Sequence, residues 1–276
     1  MPGRSTWGRD VGGRSTWGRG AWGRIAVTLA LLAPGSAAAQ DEPAPAGERR
    51  LLLVSFAGAD QRLVTLTAER LEAALKVKVE VLAERPKPDR KDLRDDRARE
   101  LPKLAEALGL ESGGTPDELE KRCRAALKKD KRPQAQQVLA MLDDVCRPRL
   151  SAANLEGQVE STCGERLQAE GVIGALGVTG EDLATPDLNF VFGHGDRAKK
   201  VGVISYVRFS QGADKPKLAK RLAIQALSTT GVLLGLGRCQ DAACARAFPN
   251  SLQEHDQKQE VYCQKCAPTV ERALGR

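Results

Sequence analysis

Four cysteines near the C-terminus have the residue type and spacing that most clearly suggest chemistry. They form two close pairs, C-x4-C and C-x2-C, separated by 18 residues: Cys239, Cys244, Cys263 and Cys266. Thiolates from two such pairs can surround one zinc ion tetrahedrally, whereas an oxidising compartment would allow two disulfides instead. The paired spacing favours one structural zinc that holds together a segment with little hydrophobic core of its own. The sequence alone leaves the disulfide alternative open.

The remaining cysteines and histidines form no comparable pattern. Cys123, Cys146 and Cys163 are scattered, and the odd total of seven leaves at least one thiol outside any pair. We interpret them as structural, with a disulfide between two of them as one alternative. Neither of the two histidines, His194 and His255, is spaced to share a helix face with another histidine, so we interpret both as exposed loop residues.

Hydrophobic patterning predicts the elements that must position these residues. Apolar runs predict strands over residues 50–57, 77–82, 171–178, 188–192 and 201–209. Apolar residues at helical spacing predict helices over 61–75, 133–145, 154–170 and 215–234, and Thr115-Pro116-Asp117-Glu118 predicts a further helix start. Glycines at 193 and 195 suggest a turn between the last two strands. The β-α-β order at the start favours parallel pairing, so we predict an α/β (α+β) domain with one mixed, mostly parallel sheet.

The first 39 residues are predicted to be a signal peptide with a low-complexity leader. The motif Gly-Arg-Ser-Thr-Trp-Gly-Arg occurs twice there, and Arg24 precedes an apolar run, Ile25–Ala33, and then Ala37-Ala38-Ala39. A basic flank, a short apolar core and small residues before a cleavage point are typical of an exported protein. The run is too short to span a membrane. Residues 40–48 are then a linker to a domain that covers 49–276.

The basic net charge does not indicate a nucleic-acid partner. The leader contains five arginines and one aspartate, and without it the formal net charge falls from +7 to +3. Aromatic residues make up only 4% of the chain, and no basic stripe with interleaved aromatics remains. This composition excludes the usual pattern of a nucleic-acid-binding protein.

The C-terminal motifs together resemble the end of the archaemetzincins, a family of metzincin-type zinc metallopeptidases. The resemblance rests on Gly235–Cys239, Cys244, Asn250–Leu252, Asp256, Lys258, Cys263 and Cys266, and upstream on Leu176–Thr179, Asp182-Leu183, Leu188–Gly193 and Val203–Phe209. It covers roughly residues 171–266 and extends weakly to 50–82. It implies a metzincin-like fold with a cysteine-rich zinc-binding segment at 239–266. The stretch 98–170 matches poorly and is interpreted as a helical insertion.

In that family, a helix carries H-E-x-x-H-x-x-G-x-x-H directly before the first cysteine. The three histidines hold the catalytic zinc, and the glutamate accepts a proton from the zinc-bound water. Counting back from Cys239 retains the glycine as Gly235. Ser228 stands at the position of the first histidine and Thr229 at that of the glutamate. Val232 and Arg238 stand at the positions of the second and third histidines. In addition, Arg246 replaces a methionine that follows the second cysteine.

None of these replacements supplies the chemistry that the position requires. The Arg238 guanidinium stays protonated and would repel zinc, and Val232 has no lone pair. Thr229 is no general base near neutral pH, and Ser228 is a poor ligand for a catalytic zinc. The resemblance therefore implies a member without catalytic residues.

We accordingly predict an exported, inactive archaemetzincin-like pseudopeptidase that retains one structural zinc. Metzincin-type sheets pair an edge strand beside the cleft with extended peptides, and this role is predicted here for Leu188, Asn189, Phe190, Val191 and Phe192. The expected partner is an extended peptide or protein segment. One alternative is an active metallopeptidase or hydrolase with a displaced site. Another is a metal-free, disulfide-stapled structural or interaction protein.

Overall fold

The computed structural model describes residues 47–276. The predicted signal peptide and residues 40–46 of the predicted linker lie outside these residues. The strands are β1 (Arg50–Ser55), β2 (Lys78–Val81), β3 (Leu150–Ser151), β4 (Val172–Thr179), β5 (Leu183–Ala184), β6 (Gly193–Asp196) and β7 (Val201–Ser205). The α-helices are α1 (Gln61–Leu75), α2 (Arg97–Ala107), α3 (Pro116–Lys129), α4 (Gln134–Val145), α5 (Ala152–Cys163), α6 (Lys215–Leu233), α7 (Leu252–Gln257) and α8 (Ala267–Ala273).

The predicted mixed, mostly parallel sheet is confirmed. Its five strands lie in the order β2-β1-β4-β7-β6. The first four are parallel to one another, and β6 runs antiparallel to β7. The short strands β3 and β5 form a separate parallel pair. Because β6 has a neighbour on one side only, it is the edge strand of the main sheet.

Helices cover both faces of this sheet, since the strands carry apolar residues on both sides. All eight residues of β4 are buried. On one face, the apolar sides of α1 and α6 share a core with β1, and buried residues of the C-terminal cysteine segment join it. On the other face, α5 contributes Leu155 and Val159 to a second core. The structure is therefore three-layered around the sheet.

Helices α2, α3 and α4 form a small core of their own. Leu101, Leu119, Leu127 and Leu142 are buried there together with Cys123. The predicted start of α3 is confirmed as a capping box, in which the Glu118 amide donates to Thr115 Oγ1 at 3.3 Å and the Thr115 amide donates to Glu118 Oε2 at 2.8 Å. In contrast, α5 packs on the sheet, although the predicted insertion at 98–170 included it. Within residues 47–276, no helix is long and apolar enough to cross a membrane.

The predicted strand over Leu188–Phe192 is wrong, and so is the turn predicted at Gly193 and Gly195. Pairing with β7 occupies residues 193–196 instead, where Gly193 lies opposite Ile204. Residues 188–192 leave the sheet because the Val191 amide donates to the Leu183 carbonyl at 2.9 Å. A glycine-rich strand is required at the edge, since a Cβ on Gly193 would lie 2.8 Å from Thr229 Oγ1 on α6.

Two further boundaries differ from the predictions. The strand predicted over 201–209 ends at Ser205, and a 3₁₀ turn follows at Arg208–Ser210. The helix predicted over 154–170 starts at Ala152, where Ser151 Oγ accepts from the Asn154 amide, and it ends at Cys163. Gly164, with φ of 52°, stops it and leads into a 3₁₀ turn.

Candidate functional site

The four C-terminal cysteines converge although they come from two segments, one after α6 and one before α8. Their Sγ atoms all lie within 4.8 Å of one another, and the Cys239 and Cys263 sulfurs are 3.6 Å apart. Sulfurs around a tetrahedral zinc with ~2.3 Å bonds lie about 3.8 Å apart. The cysteine cluster, defined as Cys239, Cys244, Cys263 and Cys266, therefore has the donor type and spacing of a four-cysteine metal site.

Backbone amides point at these sulfurs, as negatively charged thiolates require. Cys239 Sγ accepts from the Asp241 amide, and Cys244 Sγ accepts from the amides of Arg246 and Cys263, each at 3.4 Å. Without a metal, burial raises the pKa of the Cys244 and Cys266 thiols. Metal binding must therefore release protons from the cluster. The cluster could hold a metal ion, because four sulfurs converge and backbone amides already donate to two of them, Cys239 and Cys244.

Two contacts fix the cysteine segment on α6. The Tyr262 hydroxyl donates to the Leu227 carbonyl at 2.6 Å. Arg221 donates to Asp256 through Nε at 2.6 Å and Nη2 at 2.8 Å, and these bonds hold the pKa of Asp256 well below its usual range. The position of the cluster relative to α6 is thus set by a bidentate ion pair and a buried hydroxyl.

The end of α6 turns the chain toward the first cysteine. Gly235 adopts φ of 87°, a conformation that L side chains rarely take. The Leu236 amide donates to the Gly231 carbonyl at 2.8 Å, and the Gly235 amide donates to the Val232 carbonyl at 2.9 Å. This pattern is a Schellman cap, which ends the helix and reverses the chain. The retained glycine therefore brings Arg238 back toward the helix face.

The structure places the four replaced positions around one cleft of about 500 Å³. Ser228, Thr229 and Val232 line it from α6, and Arg238 lines it from the turn that follows. Sequence reasoning did not assign Gln225, Phe248 or Asn250 to this cleft, although they also line it. The exposed Phe248 offered a signal, because aromatic residues are scarce in this chain. Among the described residues, those that line the cleft include no aspartate, glutamate or cysteine.

The hydroxyls at these positions are engaged in packing. Thr229 is buried and accepts a hydrogen bond from Gln225 Nε2 at 3.2 Å. Its methyl group would lie 2.6 Å from a Cβ on Gly202, so the helix rests directly on β7 at this point. Ser228 Oγ accepts from Arg246 Nη1 at 3.4 Å. Both side chains are therefore part of the contact between α6 and its surroundings.

Residues 188–192 form the opposite wall of the cleft. Leu188 and Phe190 are 43% and 37% exposed, and the rings of Phe190 and Phe192 meet edge to face. The Phe190 ring also carries the Arg208 guanidinium at 3.8 Å from its centroid. The structure thus places the predicted peptide-binding residues and the replaced positions in the same cleft. Residues 188–192 form one wall of it, and the neighbouring strand β6 is the edge of the sheet.

Both histidines lie in regular elements and not in the predicted loops, and His194 is exposed as predicted whereas His255 is not. His194 lies on β6, lines the cleft and bonds through Nδ1 to Glu156 Oε1 at 2.9 Å, and this bond raises its pKa. His255 lies in α7 and is fully buried beside Phe209 and Phe192. Burial lowers the pKa of His255 to about 3. Neither histidine belongs to the cysteine cluster.

Comparison with known proteins agrees with this geometry. The sequence profile described as peptidase family M54 matches residues 155–272. Archaemetzincin from Methanopyrus kandleri is 36% identical over 101 residues, which are 37% of this chain and 57% of that protein. Archaemetzincin from Archaeoglobus fulgidus is 34% identical over 113 residues, which are 41% of this chain and 69% of that protein. The chain thus spans little more than half the length of the first of these relatives.

The fold also matches a solved structure from this group. The crystal structure of the Methanopyrus kandleri archaemetzincin superposes with a TM-score of 0.58 at 24% identity and covers 84% of this chain and 99% of that chain. The shared fold, the profile match and the sequence relatives agree with one another. The chain belongs to the archaemetzincins, which form peptidase family M54.

Proposed function

We propose that this protein is a catalytically inactive archaemetzincin, a pseudopeptidase whose cleft binds an extended peptide. The observation that carries the proposal is the set of side chains where the family motif would hold a catalytic zinc. Two packed hydroxyls, an isopropyl group and a guanidinium meet there: Ser228, Thr229, Val232 and Arg238. These groups do not fit a catalytic zinc, and the described cleft lining offers no carboxylate as general base.

A structural zinc in the cysteine cluster is the second part of the proposal. Four sulfurs within 4.8 Å and amide donors on two of them support a tetrahedral thiolate site. Cys239 and Cys244 would hold the ion from the turn after α6, and Cys263 and Cys266 from the segment before α8. The ion would join the two segments of the tail, a structural role without a step in catalysis.

Charges around the cluster support a metal-loaded state over a disulfide-bonded one. Four thiolates around a zinc dication carry a double negative charge, whereas two disulfides carry none. Lys258 is 1% exposed, and its ammonium has no hydrogen-bond partner among residues 47–276. Burial and the neighbouring Arg246 cation together lower the pKa of Lys258 to about 8, although the Cys244 thiolate acts in the opposite direction. A negatively charged cluster would compensate the buried Lys258 and the half-buried Arg246.

The peptide-binding part of the proposal rests on the edge strand. Within residues 47–276, β6 pairs with β7 on one side only, so its other edge can accept a further strand through backbone hydrogen bonds. Leu188, Phe190 and Phe248 offer exposed apolar surface along the same cleft. The pairing edge is therefore 193–196, whereas the predicted residues Leu188–Phe192 would contact peptide side chains.

Export to the periplasm or exterior is proposed from the leader alone. Arg24, the apolar run Ile25–Ala33 and Ala37–Ala39 follow the order of a signal peptide. These residues lie outside the part of the chain that the structure describes.

Purified protein is expected to show no peptide hydrolysis above the buffer rate, with or without a zinc chelator, because the four replaced positions offer no zinc ligand set and no glutamate as general base, and His194 is the only histidine among the described residues that line the cleft. Turnover of a mixed fluorogenic peptide library measures this directly. Ser228→Ala and His194→Ala serve as controls, since a contaminating protease would be unaffected by either. Chelator-sensitive cleavage that either variant abolishes would show an active, displaced site and refute the proposal.

A further inference from the structure

Two guanidinium groups occupy the place where the family holds a metal cation. Arg238 stands at the third histidine position and Arg246 at the methionine position, and both line the cleft. Among residues 47–276, neither guanidinium forms an ion pair with a carboxylate. In contrast, the buried arginines Arg149, Arg208 and Arg221 each do so. The cleft therefore carries two guanidiniums with which no carboxylate of the described residues pairs.

The two groups line the same cleft but differ in exposure, since Arg238 is exposed and Arg246 is half-buried. A half-buried guanidinium gives up part of its hydration, and an anionic hydrogen-bond partner stabilises it. An anion that contacts both guanidiniums in the cleft would supply such a partner.

Both guanidiniums retain donors that could bind such an anion. Arg246 uses Nε toward the Leu236 carbonyl at 3.3 Å and Nη1 toward Ser228 Oγ at 3.4 Å, both long contacts. Arg238 lies over the Phe248 ring, with Cζ 4.1 Å from the ring centroid. Stacking orients a guanidinium and leaves the N–H groups in its plane free to donate. A planar, two-oxygen acceptor matches this arrangement.

The surroundings select the kind of anion. The cleft wall adds Phe190 and Phe248 as apolar surface, whereas the carboxamides of Gln225 and Asn250 already donate to Thr229 and Glu254. Its described lining includes no acidic residue that would repel an anion. The single-sided edge of β6 runs along the same cleft. A carboxylate carried by an extended, partly apolar peptide satisfies all three features, whereas a nucleic acid would need a longer basic surface.

We propose that Arg238 and Arg246 form a carboxylate-binding subsite, so that the cleft captures peptides through an acidic group where active relatives position a zinc. The carboxylate is either a free C-terminus or an aspartate or glutamate side chain, two sources of one chemistry. This inference rests on the proposed peptide-binding function and adds the ligand class to it.

Binding to a random heptapeptide array tests the subsite with the full mature chain. The array is made in four forms: free C-terminus, C-terminal amide, one internal glutamate, and glutamine in its place. We expect binding to concentrate in a carboxylate form and to fall at least about tenfold when the matching amide replaces it, because hydrogen bonds to charged groups are the strong ones. Loss of binding with the C-terminal amide identifies a free C-terminus as the ligand, and loss with glutamine identifies an acidic side chain.

Variants separate recognition from folding. Arg238→Gln and Arg246→Met are each expected to reduce carboxylate-peptide binding by about tenfold, while zinc content and circular dichroism stay unchanged. Arg62→Gln, an exposed arginine on α1 outside the cleft lining, is the matched control and should bind as the unmodified chain does. Equal binding of acid and amide forms would overturn the subsite and leave peptide binding intact. Absence of binding to every form would refute both.

Discussion

Replacing Cys263 and Cys266 with serine is expected to abolish zinc binding and to unfold the cysteine segment. Structural zinc contributes about 10–16 kcal/mol in zinc-finger peptides, which is comparable to the whole stability of a domain, about 5–15 kcal/mol. Residues 237–266 contain only one short helix, α7. Hydrogen exchange across 237–266 should therefore approach the rate of an unfolded chain, and the thermal midpoint of the domain should fall.

The matched control for this variant is Cys146→Ser. Cys146 is half-buried beside the small core of α2–α4 and lies outside the cluster. It should retain zinc and protection of the segment. The disulfide alternative makes a different prediction, since non-reducing mass spectrometry would then find no alkylatable thiol in the tail. Four alkylatable thiols after zinc removal support the metal site, and two disulfides in the purified protein contradict it.

Replacing Asp182 with asparagine is expected to destabilise the domain by about 3–5 kcal/mol, because it removes the fully buried carboxylate of the network and leaves Arg208 with only the partly exposed Asp144 as a partner. Arg208 donates to Asp182 through Nε at 2.8 Å and Nη2 at 2.7 Å, and Arg149 Nε lies 3.5 Å from the same carboxylate. The Asp182 side chain is 1% exposed. Chemical denaturation of the mature chain measures the change in the free energy of unfolding.

The same substitution should also loosen the cleft wall, since Arg208 lies against the Phe190 ring. Asp187→Asn is the control, because Asp187 is exposed and forms no ion pair within residues 47–276. If Asp182→Asn lowers the free energy of unfolding by less than about 1 kcal/mol, the value of a surface ion pair, then the Asp182–Arg208–Arg149 network does not stabilise the domain as proposed.

Much of the fold follows from local sequence patterns. The apolar runs at β1 and β4 and the helical spacing along α1 and α6 predict these elements, because a strand buried on both faces and an amphipathic helix have distinct periodicities. The retained Gly235 predicts the turn that ends α6, and the structure shows φ of 87° there. The paired cysteine spacing predicts that four sulfurs meet, and they lie within 4.8 Å.

The parts that sequence patterns missed depend on tertiary contacts. The strand β6 contains two glycines and one histidine in four residues, a composition typical of a turn, and it forms because α6 packs too closely for side chains at Gly193. The apolar residues 188–192 look like a strand but bond to β5 and stack on Phe209. The stacking of Arg238 on Phe248 joins residues ten positions apart and has no local signal.

The number of zinc ions per chain tests the central claim most directly. Elemental analysis of the purified mature protein should give one zinc, and none after Cys263→Ser with Cys266→Ser. A variant that restores three histidines, Ser228→His with Val232→His and Arg238→His, provides the two-zinc reference, since these positions line one cleft. One zinc in the unmodified chain is the predicted result. Two zincs per chain would contradict the account, because a second ion would require a metal site that the cleft residues do not provide.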